Sequence, residues 1–193
     1  KWEGRFTPGA TKTILRTTSV SPVVALKLSE DLSIGLGPYI QYFDIELNNL
    51  VFLAAPSPPL TPSNNRAQTA DAKLTAKEWD WGWQAGFRLK IIKGLNFGAA
   101  YLSNVRHKIS GGEQELKSLA DGNVVVRQGF SGKFTLPATL RLGLAWQRGP
   151  WTIEAGAQWT EWTSYKTLKA VFDNGTSLTS PKNWHNAWLW RIG

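Results

Sequence analysis

The sequence predicts an all-β chain, an antiparallel transmembrane β-barrel segment of about seven strands. Three observations predict it. Apolar and polar residues alternate with a period of two along most of the chain. Short and long connections follow one another in turn. Tryptophan, 11 of 193 residues, gathers near the ends of the alternating runs, on their apolar side.

The runs can be taken in order. Val20, Pro22, Val24, Leu26 and Leu28 alternate with Ser19, Ser21 and Lys27. Leu32, Ile34, Leu36 and Ile40 alternate with Ser33, Gly35, Gly37, Tyr39 and Gln41. The clearest run is Trp79 to Ile91. Its odd positions are Trp79, Trp81, Trp83, Ala85, Phe87, Leu89 and Ile91, and its even positions are small or polar. Leu95, Phe97, Ala99 and Tyr101 alternate with Asn96 and Gly98. A single run is read from Phe134 and Leu136 through Leu140, Leu142 and Leu144 to Trp146. Trp151, Ile153, Ala155, Ala157 and Trp159 form the next, and Trp188, Trp190 and Ile192 open the last.

Short turns fall near Ser29–Glu30, Lys93–Gly94 and Gly149–Pro150, and long segments at Asn48–Lys77, Gly111–Gly129 and Asp173–Asn183. Short turns at one end and long loops at the other are the rhythm of outer-membrane barrels. Indole rings favour the headgroup boundary, which suits Trp79, Trp81, Trp151, Trp159, Trp188 and Trp190 at run ends. A soluble β-sandwich is the competing reading. Its strands average about 5–6 residues, whereas a tilted spanning strand needs about 9–11. Runs such as 33–47 and 134–147 favour the barrel.

Composition excludes several classes. With no cysteine there is no disulfide and no thiolate chemistry. The net charge is +8, but the cations are scattered rather than gathered among stacking aromatics, which argues against nucleic acid as a partner. A basic rim meeting lipopolysaccharide phosphates fits the same charge. The two histidines are His107, read on the outward phase, and His185 beside a loop. Neither belongs to a catalytic constellation, no metal-ligand spacing occurs, and no cofactor is implied, so the chain is read as not an enzyme. Both ends read as cut, which makes the chain an internal fragment.

The lumen face carries the candidate site. Its lower part is polar, with Lys27, Gln41, Asp80, Arg88, Lys90, Arg141, Glu154 and Gln158. Beyond Gln41 the inward positions turn apolar at Phe43, Ile45 and Leu47, with Asp44 and Glu46 facing outward. The apolar character continues through Leu50, Val51, Phe52, Leu53, Ala54 and Ala55 into a proline-rich stretch at 56–62. An apolar wall joined to an apolar loop suits a hydrophobic ligand groove at the barrel mouth, or a loop folded down as a plug. A polar porin and a surface receptor are the other readings.

Several stretches resemble the long-chain fatty-acid transporter (FadL) family of the Gram-negative outer membrane. They are Pro22–Leu28, Asp31–Pro38, Trp79–Gly86, Leu136–Pro137 through Trp159–Trp162 to Tyr165–Lys169, and Trp184–Arg191. The order is kept over nearly the whole chain. The resemblance implies a plugged barrel of about 14 strands, within the range of bacterial outer-membrane barrels. Residues 1–193 would be a partial transporter domain, with the N-terminal hatch and C-terminal strands outside it. It implies a monomer in outer-membrane lipid that takes up long-chain fatty acids or monoaromatic hydrocarbons passively. Two long loops would form the capture groove. An arginine that holds the anionic head group in the fatty-acid transporter is replaced here by Asn49, with Arg66 or Lys73 as substitutes. An uncharged ligand needs no such cation. The expected ligand-binding set is therefore Phe43, Ile45, Leu47, Asn49, Leu50, Val51, Phe52 and Leu53.

Overall fold

The computed structural model describes residues 9–53 and 68–193. These form one antiparallel sheet of 12 strands. In chain order they are β1 (Gly9–Val20), β2 (Val24–Lys27), β3 (Leu32–Phe52), β4 (Thr69–Ile92), β5 (Leu95–Leu102) and β6 (Val105–Ser118). There follow β7 (Val124–Leu136), β8 (Thr139–Arg148), β9 (Trp151–Thr160), β10 (Thr167–Phe172), β11 (Ser177–Pro181) and β12 (Ala187–Ile192). A 3-10 turn, Trp162–Ser164, joins β9 to β10. The strands make seven passes, since β3 and β4 each run unbroken and the other five passes are split in two. Each pass pairs with the next in chain order, and the sheet stays open at its first and last passes.

Directly opposed residues share a face, so the registers define the two surfaces. One row runs Leu26–Ile34–Phe87–Ala99–Leu142–Ala157–Trp190 across the sheet. The next runs Val24–Leu36–Ala85–Tyr101–Leu140–Trp159–Trp188. This face is apolar and open to its surroundings: Trp81 is 74% exposed, Trp151 70% and Trp190 71%. In water such a face would be a large unpaired patch; against lipid tails it is the expected surface of a barrel wall. The opposite, concave face carries Lys27, Arg88, Arg141, Glu154 and Gln158, as expected.

Three of the expected connections are shorter than the sequence suggests. β3 continues through Asn48 to Phe52 and β4 starts at Thr69, so both ends of the first long segment pair as strands. Ala54, Ala55, the proline-rich stretch and Arg66 lie outside the described residues. β6 and β7 likewise extend to Ser118 and from Val124, and β10 turns into β11 across residues 173–176. Polar residues continued period-two pairing there, because a strand beyond the membrane needs ladder partners and not an apolar face. Ion pairs hold these extensions. Lys12 and Lys73 flank Glu46 at 2.9 and 3.9 Å, and Arg127 and Lys117 flank Glu115. The hydrogen bond from Lys12 holds the Glu46 carboxyl below its usual range, and that from Arg127 does the same for Glu115.

The run read as one strand from Phe134 to Trp146 is broken. β7 ends at Leu136 and β8 starts at Thr139, on either side of Pro137–Ala138; beside it, β5 and β6 part at Ser103–Asn104. Register is kept across both breaks, with Leu102 opposite Thr139 and Val105 opposite Leu136. Each pass takes three residues where an even number would keep the phase, so every side chain beyond the crease changes face. Phe134 and Leu136, expected toward lipid, therefore face the concave side. His107, expected outward, is fully buried there. Where β6 leaves β4, side chains replace the ladder. Ser103 exchanges bonds with Trp83, its N–H donating to the Trp83 carbonyl and its Oγ accepting from the Trp83 N–H, both at 2.9 Å. Asp80 accepts from the Lys108 N–H at 3.3 Å, and Glu78 accepts from the Ser110 N–H and hydroxyl at 2.8 Å.

A second break lies between β1 and β2. By the registers on either side, Pro22 stands opposite Pro38, and neither has an N–H to give. The Pro22 carbonyl lies over Gly37 so closely that a Cβ there would overlap it. Gly37→Ala in the full-length protein should therefore block formation of the heat-modifiable folded species on electrophoresis, while Gly143→Ala, which meets nothing within 4 Å, should leave it intact. Equal folding of both variants would contradict this packing.

Candidate functional site

At the long-loop end the concave faces of β3, β4, β6, β7 and β10 close on one another. Phe43, Leu74, Ala76, Ile109, Phe130, Phe134 and Ala170 form one buried cluster, with Ile45, Leu47, Leu136, Tyr165, Leu168 and Phe172 packed against it. Phe43 is 0% exposed even in this open sheet, so the inward fold of β6–β7 covers it without any further pass. A fully buried phenylalanine contributes about 1.5–3 kcal/mol of transfer free energy. The rings interlock: Phe43 lies 5.0 Å from both His107 and Phe134 by ring centroid, and Phe130 lies 6.0 Å from Phe172. Small residues allow the approach. Ala70, Ala72 and Ala76 line β4, and the Phe130 ring covers Gly112.

The residues beneath this apolar cluster are polar. His107 Nδ1 lies 2.9 Å from Asp80 Oδ2, and its Nε2 lies 3.0 Å from Gln41 Oε1. The Gln41 amide donates in turn to the Tyr39 hydroxyl at 2.9 Å and the Ser19 hydroxyl at 3.3 Å. In this amide orientation both ring nitrogens donate and the imidazolium pairs with Asp80; with the amide turned over, a neutral ring matches its partners. Either way the buried polar atoms are satisfied, as burial in an apolar setting requires. His107 also stacks on Phe134, with ring centroids 5.0 Å apart and planes 26° apart. The trio lies between the apolar cluster and the charged positions lower on the concave face.

The structure sorts the sequence candidates by face. Phe43, Ile45, Leu47, Asn49 and Val51 share the concave side, opposite Glu78, Ala76, Leu74, Ala72 and Ala70. Alternation puts Leu50 and Phe52 on the other face of β3, opposite Asp71 and Thr69. Leu53 follows the strand end and is 41% exposed. Asn49 has Ala72 across from it, and Lys73, one of its two suggested substitutes, is opposite Asn48 on the far face and engages Glu46 at 3.9 Å. Sequence reading missed His107, Ile109, Phe130 and Phe134 as wall residues. The one signal for them was Pro137, a residue that breaks a ladder and so can shift the phase.

Among the described residues, removing His107 would leave the Asp80 carboxylate with the Lys108 N–H alone. His107→Leu in the full-length barrel should lower the urea midpoint, with an unsatisfied buried group costing about 1–3 kcal/mol. Asp80→Asn with His107 kept should cost less. An unchanged midpoint for His107→Leu would mean that the trio does not hold β6 to β4.

The sequence profile of the family described as outer membrane protein transport protein (OMPP1/FadL/TodX) matches residues 1–193. A long-chain fatty acid transport protein of Escherichia coli O6:H1 is 25% identical over 197 aligned residues, covering 86% of this chain and 43% of that protein. The chain thus spans less than half the length of this curated relative. Among solved structures, a Pseudomonas aeruginosa FadL homologue superposes with a TM-score of 0.84 at 23% identity, covering 100% of this chain and 48% of its own. The Ralstonia pickettii toluene transporter TbuX superposes with a TM-score of 0.72 at 17% identity, covering 93% and 51%. These two likenesses show the fold. The face that meets lipid, the meander of passes and the full-length profile match agree: the chain belongs to the OMPP1/FadL/TodX family of outer-membrane transport proteins.

Proposed function

We propose that the protein containing this chain carries hydrophobic compounds, long-chain fatty acids or similar molecules, passively across the bacterial outer membrane. The observation that carries this reading is the apolar cluster on the concave wall at the long-loop end, formed by Phe43, Ile45, Leu47, Phe130 and Phe134 above His107. An open aqueous pore would not gain from such a wall, whereas a ligand of low polarity is bound by it. The protein acts by binding and release and not by catalysis. It works as a monomer in outer-membrane lipid and lipopolysaccharide, and residues 1–193 form the middle of a longer barrel with a hatch.

One observation favours neutral monoaromatic hydrocarbons within this reading. The concave positions of β3 from Gln41 to Val51 and of β4 from Ala70 to Asp80 include no lysine or arginine. Nor do the concave positions of β6 and β7. A carboxylate would enter there without a fixed cation, which is costly.

Uptake of labelled oleate and labelled toluene by a bacterium lacking its own transporter of this type, and given the complete gene, tests both. Oleate uptake is the expected result for the first reading, and toluene uptake alone for the second. Uptake of neither, with the barrel folded in the outer membrane, would overturn both. For the groove itself, Val51→Ser should weaken binding of a hydrophobic fluorescent probe several-fold and Leu50→Ser much less, since of the two only Val51 faces the concave side. Equal losses would remove the concave face of β3 from the capture path.

A further inference from the structure

The phase change at the crease has a consequence on the outer surface. Lys108 of β6 lies directly opposite Lys133 of β7, and Lys133 lies directly opposite Lys169 of β10. The three are exposed and face away from the concave side, since their neighbours His107, Phe134 and Ala170 are buried there. Like charges placed directly across a ladder repel, so this row costs stability if nothing meets it. None of the three is in an ion pair among the described residues, although the same surface pairs Lys12, Lys73, Lys117 and Arg127 with glutamates. The nearest carboxylates in the registers are engaged elsewhere. Asp80 bonds His107 and the Lys108 N–H, Glu78 bonds Ser110, and Asp173 accepts from the Gly129 N–H at 3.0 Å.

The surroundings of the row are cationic or hydroxylic. Arg106 stands opposite Thr135 one step along the same face, and Thr179 stands opposite Lys169 on β11. Ser110 and Ser131 flank the row on the far side. Height completes the argument. Trp79 packs on Tyr42 at 5.0 Å at the top of the aromatic band, and its neighbour Asp80 bonds Lys108. The row therefore sits where the outer-leaflet headgroups begin.

We propose that Lys108, Lys133 and Lys169 form a binding row for the phosphate groups of an outer-leaflet glycolipid of the lipopolysaccharide type. Ammonium groups spaced along one cross-strand line give charge-assisted hydrogen bonds to phosphate oxygens. The hydroxyls of Thr135 and Ser131 add neutral donors. Bound phosphate turns the repulsion within the row into attraction, and the acyl chains fall against the apolar face below.

The test uses the full-length protein in detergent free of lipopolysaccharide, with purified diphosphoryl lipid A as the probe. Lipid A should raise the thermal midpoint of the wild type. In the variant Lys108→Thr/Lys133→Thr/Lys169→Thr, apparent affinity should fall at least tenfold, and the lipid-free midpoint should rise because the repulsion is gone. The variant Lys108→Arg/Lys133→Arg/Lys169→Arg should keep binding. Lys27→Thr/Lys90→Thr/Lys93→Thr, which removes the same charge at the short-turn end, should also keep it. Monophosphoryl lipid A should bind more weakly, and millimolar inorganic phosphate should give no comparable shift. Equal lipid A affinity in the wild type and the threonine variant would overturn the proposal. So would an equal loss in the short-turn control, or full saturation by inorganic phosphate alone.

Discussion

Every backbone N–H and C=O group that meets hydrocarbon must find a partner inside the protein. The rest of this structure depends on that constraint. Through the aromatic band the ladders run in register from β2 to β12, and the lipid-facing rows follow from them without further choice. The ladder can fail only where side chains take its place. Ser103, Glu78 and Asp80 do so along the seam between β4 and β6, as backbone acceptors and donors would. At the first pass, Pro22 and Pro38 meet at positions where neither has an N–H to leave unpaired.

The crease beside that seam turns one sheet into two environments. Below it, odd positions of the fourth pass meet lipid and even positions meet the lumen. Above it, the order reverses. A single slipped residue in each of two neighbouring strands moves Val105, His107 and Ile109 inward with Phe134 and Leu136. The same slip moves Lys108 and Lys133 outward. Because both strands slip at one level, their mutual pairing survives, and the hairpin bends as a unit onto Phe43 and Leu74. Apolar cluster and cationic row are thus two sides of one event.

The apolar cluster carries its own physical logic. Aromatic side chains from three strands form it, and alanines and Gly112 leave the space they need. The polar floor is affordable only because His107, Asp80 and Gln41 satisfy one another. The concave wall is apolar above this trio, and charged below it near Arg88 and Glu154.

The sequence by itself determined the strand class, the lipid-facing rows from Leu32 to Ile40 and from Trp79 to Ile91, and the number of passes. Period-two alternation is a local property, and a membrane demands it continuously, so it is legible residue by residue. The inward set at Phe43, Ile45 and Leu47 was legible for the same reason. The true length of the hairpin at Phe52 and Thr69 was not, because a strand beyond the membrane pairs its backbone with any side chains outside. Nor was the place of His107. Which face a residue meets beyond a break depends on how many residues the break consumes, and Ser103–Asn104 and Pro137–Ala138 carry no count of their own. Only their pairing with β4 and with one another decided it.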